Sequence, residues 1–333
     1  MLFNSFTFLI FFLTFYIIYW LLNNYKTKYR NLFIFISSYV FYGWWDWRFL
    51  FLIFFSSILD YFCGYSIGAS KNGLNRKLFL ALSLVINLGS LFFFKYYNFF
   101  IDSLESGLIK LGVNIITING LYLDIILPVG ISFYTFQTLS YSLDVYYQRM
   151  KPSNNFINFL AFVSFFPQLV AGPIERASNL LDQFETKKKF IYDNSLLGLK
   201  FILWGLFKKL VIADNLAVAV DYSYDNYQDL SGLANVLGAI FFSFQIYCDF
   251  SGYSDMAIGL SKLLGFELMQ NFNYPYFSKS INEFWSRWHI SLSTWFRDYV
   301  YIPLGGNKLG FNIQIRNIFI VFILSGIWHG ANW

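Results

Sequence analysis

Charge is what this chain has least of. Asp, Glu, Lys and Arg make up 13% of its 333 residues, roughly half the share of about 25% carried by a soluble domain. A globule of this size could not clothe its surface for water with so few charges, so its apolar surface must face another medium. Cysteine and histidine are equally scarce, at two of each. Cys63 and Cys248 lie far apart in apolar stretches, forming neither a zinc spacing nor a disulfide framework, and read as ordinary buried thiols. Catalytic signatures are missing too. There is no G-x-S-x-G elbow, no G-x-x-x-x-G-K-[ST] phosphate loop, no H-E-x-x-H and no cysteine–histidine metal set. These absences exclude a soluble two-domain enzyme, a disulfide scaffold and a P-loop ATPase, and they leave no metal or bound cofactor to expect.

What is present is apolar bulk. Hydrophobic residues make up 57% and aromatics 23%, and the mean hydropathy is +0.48. The chain reads as an all-α, polytopic membrane helical bundle. Its net charge of +5 sits in short basic tracts between apolar runs, which record topology and give no nucleic-acid footprint.

Residues 2–22 are uncharged, and at ~1.5 Å per residue they reach about 31 Å, enough for the hydrocarbon core. A cleaved signal peptide needs a basic n-region and a small-residue cleavage site, and neither is there, so this is a retained first helix. The linker 23–30 carries Lys26, Lys28 and Arg30, and the linker 70–77 carries Lys71, Arg76 and Lys77. Two crossings, 31–45 and 49–69, separate them, so both fall on one side. The positive-inside rule makes that side cytoplasmic and puts the N-terminus outside, in a multi-pass protein of the inner (cytoplasmic) membrane. Residues 78–94 then cross outward. Later runs are interrupted: 121–147 by Pro128, Gly130, Gln137 and Asp144, 156–172 by Pro167, 196–220 by Lys208-Lys209, and 232–264 by Gln245, Asp249 and Asp255. Broken polar spans survive only where protein or a water-filled cavity surrounds the backbone. The expectation is a single membrane domain, 1–333, of roughly nine to eleven helical segments. Plain spanning helices run to residue 94, and a core built around a site occupies 121–333.

Both histidines directly follow a tryptophan, at Trp288-His289 and Trp328-His329. Desolvation favours the neutral imidazole, which is a proton acceptor. Over 282–301, Asn282, Ser286, His289, Ser293 and Arg297 fall at spacings of 4, 3, 4 and 4 and predict one polar stripe on a continuous helix. Trp285, Trp288, Leu292 and Trp295 form an apolar stripe beside it, and Glu283 can pair with Arg287 at i,i+4. An amphipathic helix lying in the membrane interface is the competing account. His329 ends an apolar run, with Gly326 and Gly330 allowing close approach, and is the better candidate base. Asp249, Asp255 and Glu175 with Arg176 either line a pathway or form structural ion pairs; the sequence leaves both open.

Five long motifs then resemble the membrane-bound O-acyltransferases: LPVGISFYTFQ at 127–137, FPQLVAGPIER at 166–176, YCDFSGYSD at 247–255, the segment 284–306, and GIWHGA at 326–331. The resemblance runs over nearly the whole chain. It is nearest to the branch that O-acetylates exported alginate, with D-alanyl transfer to teichoic acid as the alternative. It implies a bowl of helices with a tunnel joining cytoplasm to the outer face. His329 matches the family's catalytic histidine and His289 its second, upstream polar position. Asn282, Ser293, Arg297, Asp249 and Asp255 are then substrate-positioning candidates. The donor implied is an acyl thioester such as acetyl-CoA, used as substrate. The partners implied are the lipid bilayer, a polysaccharide acceptor and an extracytoplasmic acetyltransferase. Family members continue past this histidine through further helices, so a C-terminally incomplete chain is expected. A channel, or a non-catalytic scaffold of an export complex, is the rival class.

Overall fold

A computed structural model describes residues 1–112 and 121–332, which form helices and no strands. Five stretches are long and apolar enough to cross a membrane: Phe6–Asn23, Trp47–Ala69, Gly73–Lys110, Gly232–Leu263 and Phe311–His329. The chain divides into two compact units, Met1–Phe51 with Asn155–Ser293 and Leu52–Asn154 with Thr294–Trp333. Each unit therefore draws on both the spanning part and the core that the sequence distinguishes.

In the first unit, helix α1 (Phe6–Asn23) begins where Ser5 Oγ accepts the Phe8 N–H, so the crossing starts four residues later than the uncharged run. Helix α2 (Thr27–Gly43) follows, and its first turn holds a surprise for the topology argument. Arg30, counted above as a loop charge, is fully buried. Its guanidinium donates to the carbonyls of Phe184 and Thr186 at 2.9 Å and to Asn31 Oδ1 at 2.8 and 2.9 Å. Those carbonyls lie at the C-terminal end of α8 (Ala177–Glu185), where unsatisfied acceptors and the helix dipole favour a cation. Between them run α6 (Phe156–Ser164) and α7 (Phe166–Leu169). The expected single run 156–172 is split at Phe165, which leaves helical geometry at ψ 102°, and Pro167, with no N–H to continue the ladder, sits in the first turn of α7.

Helix α9 (Tyr192–Leu206), a π-helical stretch (Phe207–Ala213) and α10 (Asp214–Asp225) lie beside the long α11 (Gly232–Leu263). Glycine sets how closely α9 and α11 approach. A Cβ on Gly259 would stand 2.5 Å from the Gly198 carbonyl oxygen, and one on Gly205 would stand 2.5 Å from that of Gly252. Two glycines a heptad apart on each helix thus let the backbones touch, the usual device where lipid supplies no hydrophobic drive between helices.

The second unit contains α3 (Leu50–Ala69), α4 (Gly73–Lys110), α5 (Ile131–Tyr146) and α14 (Phe311–His329). Asn72 caps α4, accepting the Leu74 N–H at 2.9 Å. That helix extends well beyond the expected crossing at 78–94. The core polar cluster is Asp60, fully buried, which accepts from Ser83 Oγ at 2.5 Å and Asn87 Nδ2 at 2.8 Å. Gly64 on the same helix admits the Tyr141 ring where any side chain would collide. Helix α5 is buried along nearly its whole length. The helical segments outnumber the nine to eleven expected, because interrupted runs became separate helices.

Candidate active site

The predicted continuous helix over 282–301 does not form, and the break falls at the histidine. Helix α12 (Ile281–Arg287) starts with Ser280 Oγ accepting the Glu283 N–H and carries the expected Glu283–Arg287 ion pair at 2.6 Å. Trp288 is then extended, His289 is left-handed at φ 42°, and α13 (Ile290–Phe296) restarts the helix before a second π-helical stretch, Arg297–Tyr301. A non-glycine residue in that region costs roughly 1–3 kcal/mol and persists only when its surroundings enforce it. Enforcement comes from the loop after α11. Asn273 N–H donates to the Arg287 carbonyl at 2.9 Å and Ile290 N–H donates to the Asn271 carbonyl at 2.8 Å, clamping both sides of the break.

The break turns His289 inward, where 3% of its surface stays accessible. Its Nδ1 lies 3.0 Å from Asn271 Oδ1. That oxygen also accepts Ser291 Oγ–H at 2.9 Å and Ser291 N–H at 3.4 Å, so it is an acceptor to every neighbour. The amide's other end donates to Ser254 Oγ at 3.0 Å. Nδ1 must therefore carry the proton, which leaves the lone pair on Nε2. Phe250 meets the imidazole edge-on at 4.7 Å and Phe272 lies 6.2 Å away, so the ring is also fixed by aromatic packing.

Asn271, Ser291 and Ser254 were not singled out from the sequence. Ser254 lies inside the YCDFSGYSD motif and Ser291 two residues past the histidine, and those were the only signals available. Asn271 sits in a loop with no periodicity to betray it.

The broken helix also scatters the expected stripe. Asn282 and Ser286 are exposed on α12, and Ser286 Oγ donates back to the Glu283 carbonyl at 2.7 Å. Ser293 Oγ donates to the Trp288 carbonyl at 3.2 Å, which helps hold the break. Arg297 is exposed and pairs with Asp298 at 2.7 Å. On α11, Asp255 pairs with the buried Lys208 at 2.5 Å and Asp249 with Lys209 at 2.6 Å. Both lysines lie on the π-helical stretch, and Lys208 also donates to Ser251 Oγ at 3.0 Å. Both carboxylates are ion-paired. Glu175 is buried and accepts from the Met269 N–H and, at 2.7 Å, from Asn179 Nδ2. Burial pushes its carboxyl up to about 7, against the pull of those donors and Arg176.

His329 stands in the second unit, at the last residue of α14, with its side chain exposed. The preceding Trp328 is buried, stacked on Phe136 at 5.4 Å and edge-on to Phe133 at 5.9 Å. Trp295 stacks on the other partner of that group, Phe136, at 4.1 Å and donates its indole N–H to the Phe136 carbonyl at 3.0 Å. Lys95 Nζ donates to the Trp328 carbonyl and, at 3.1 Å, to that of His329. A buried indole and a cation at the helix's carbonyl end thus fix the backbone that presents the second imidazole.

A polytopic helical membrane protein with two anchored imidazoles defines the class, and comparison with known proteins names the family. The family model for MBOAT, the membrane-bound O-acyltransferases, matches residues 151–333, and the chain belongs to that family. It is 45% identical over 92% of its length to the protein named "Probable alginate O-acetylase AlgI" of Pseudomonas aeruginosa, covering 58% of that protein. It is 38% identical over 91% of its length to the peptidoglycan O-acetyltransferase of Helicobacter pylori, covering 61%. To the teichoic acid D-alanyltransferase of Bacillus subtilis it is 31% identical, over 60% of this chain and 53% of that one. The chain thus spans about three fifths of the length of the acetylating relatives.

Proposed function

We propose that the protein to which this chain belongs O-acetylates an exported polysaccharide of the alginate type, drawing acetyl groups from a cytoplasmic thioester such as acetyl-CoA. The identity of 45% over 92% of the chain to an alginate O-acetylase is the observation that carries this reading. In it, the protein lies in the inner membrane with its N-terminus outside and hands acetyl groups to the polysaccharide or to an extracytoplasmic acetyltransferase that completes the transfer.

His329 acts as general base. It takes the proton of the acceptor hydroxyl as that oxygen attacks the thioester carbonyl, and the imidazolium returns the proton to the departing thiolate. General-base help of this kind is worth about 10²–10⁴-fold. His289 takes a positioning role. Its Nδ1–H is committed to Asn271, which fixes the tautomer and the plane of the ring, as a positioning group requires. Asn282, Ser293, Arg297, Asp249 and Asp255 stay substrate-positioning candidates in this reading, Ser293 through the Trp288 carbonyl and the two aspartates through their lysines.

The test uses cells expressing the complete gene, with the acyl content and acyl identity of the exported polysaccharide as readout. His329→Gln keeps size and polarity but removes the base, and should abolish acetylation while leaving membrane levels unchanged. Near-normal acetylation in that variant refutes the general-base role. Transport or export that persists without any acyl turnover in the parent would instead favour the channel or scaffold.

A further inference from the structure

The first unit holds a cavity of about 270 Å³ where the end of α1 meets the linker before α9, lined by Trp20, Asn194, Lys187, Lys188, Lys189 and Lys262 among others. Four cations converge on one small space. Lys262 is paired with Glu267 at 2.6 Å, and Lys187 donates to the Asn24 carbonyl at 3.3 Å. The linker is fastened to the helix end rather than loosely placed: Asn23 Nδ2 donates to the Lys188 carbonyl at 2.7 Å, and Lys188 N–H donates to Asn23 Oδ1 at 3.3 Å. Lys188 Nζ is held 4.2 Å from the centre of the Phe266 ring. Beside the cationic cavity the surface is apolar. Ile17, Leu21, Phe190, Ile191 and Tyr192 are exposed, and Trp20 stands edge-on to Phe190 at 5.7 Å.

We infer that this cavity is a binding site for the phosphate of an anionic phospholipid headgroup, with the lipid's acyl chains lying along the exposed apolar flank of α1. A soluble phosphate compound would need the lysines but not the flank. The combination of a tryptophan, a membrane-length helix end and a basic cluster is that of the membrane interface on the side bearing negative lipid. Burial, reinforced by neighbouring Arg30 and opposed by Glu267, lowers Lys188 to about 8; an arriving phosphate would restore its full charge. The site rests on no part of the acyl-transfer reading.

Native mass spectrometry of the detergent-purified protein, titrated with dioleoyl phosphatidylglycerol and with dioleoyl phosphatidylcholine, tests it. The parent should bind the glycerol lipid saturably and about tenfold or more tightly than the choline lipid. A Lys187→Gln/Lys189→Gln variant changes two exposed side chains and should lose about fivefold in affinity per lysine for the anionic lipid alone. Lys71→Gln/Lys77→Gln, in the basic stretch where α3 gives way to α4, should leave that affinity unchanged. Equal binding of the two lipids, or undiminished binding by the first variant, overturns the site. Displacement of the lipid by free glycerol phosphate at concentrations near the lipid's own Kd overturns the lipid assignment in favour of a soluble phosphate ligand.

Discussion

Replacing Asn271 by alanine is the sharpest perturbation of the His289 site. The side chain is fully buried and its Oδ1 receives three donors: His289 Nδ1 at 3.0 Å, Ser291 Oγ at 2.9 Å and Ser291 N at 3.4 Å. A neutral hydrogen bond contributes about 0.5–1.5 kcal/mol net, and a buried donor left unsatisfied costs about 1–3 kcal/mol. The Ser291 hydroxyl can rotate to another acceptor, so the loss concentrates on the imidazole. The preference for Nδ1–H should fall by about 1–3 kcal/mol, or about 5- to 150-fold in tautomer ratio. The chain has two histidines, so in a His329→Gln background His289 is the sole one, and long-range proton–nitrogen correlation spectra of nitrogen-15 labelled histidine read its tautomer directly. The parent should show the proton on Nδ1. Asn271→Ala should move it to Nε2 or give a mixture. In cells expressing the complete gene with His329 intact, the same substitution should cut acetylation about 10- to 100-fold, by the energy of one misoriented group. A parent with Nε2–H, or an unchanged tautomer in Asn271→Ala, refutes the argument that Asn271 sets the ring's chemistry.

Glu175 should make stability depend on pH. Its folded carboxyl, near 7 against an ordinary 4.5, binds a proton more tightly than the unfolded one, so stability should fall as pH rises from about 4.5 to 7 and level off above. The full change is about 3 kcal/mol, and Glu175→Gln should flatten the thermal-unfolding profile across pH 5–7.5; a parallel slope in both proteins would contradict it. Gly259→Ala should lower the unfolding temperature in detergent through about 1–3 kcal/mol of overpacking, because its new methyl meets the Gly198 carbonyl. Gly326→Ala, where nothing lies within 4 Å, should not, and equal losses would mean that the α9–α11 approach is not the cause. Topology is tested by Lys28→Cys, exposed in the first turn of α2. An impermeant thiol reagent should fail to label it in intact cells, and efficient labelling reverses the proposed orientation.

Hydropathy alone settled the class, because the cost of so much apolar surface in water is a sum over residues and needs no partner to evaluate. It also located α1 and α11 to within a few residues, since an apolar run and its polar edges are local features. The motifs carried the family for the same reason. Neighbours distant in sequence decided the rest. Helical spacing predicted one stripe through Asn282, His289 and Arg297, but a loop at residues 271–273 supplies the hydrogen bonds that break the helix and turn the imidazole inward. Arg30 counted as a topological charge until the carbonyl end of α8, more than 150 residues on, was found to hold it. The glycines of α9 and α11 have no meaning singly and become a contact only when the two helices are paired. Period and composition are properties of a segment. Which acceptor a buried donor finds depends on the whole chain, because a buried polar group left without a partner costs about 1–3 kcal/mol.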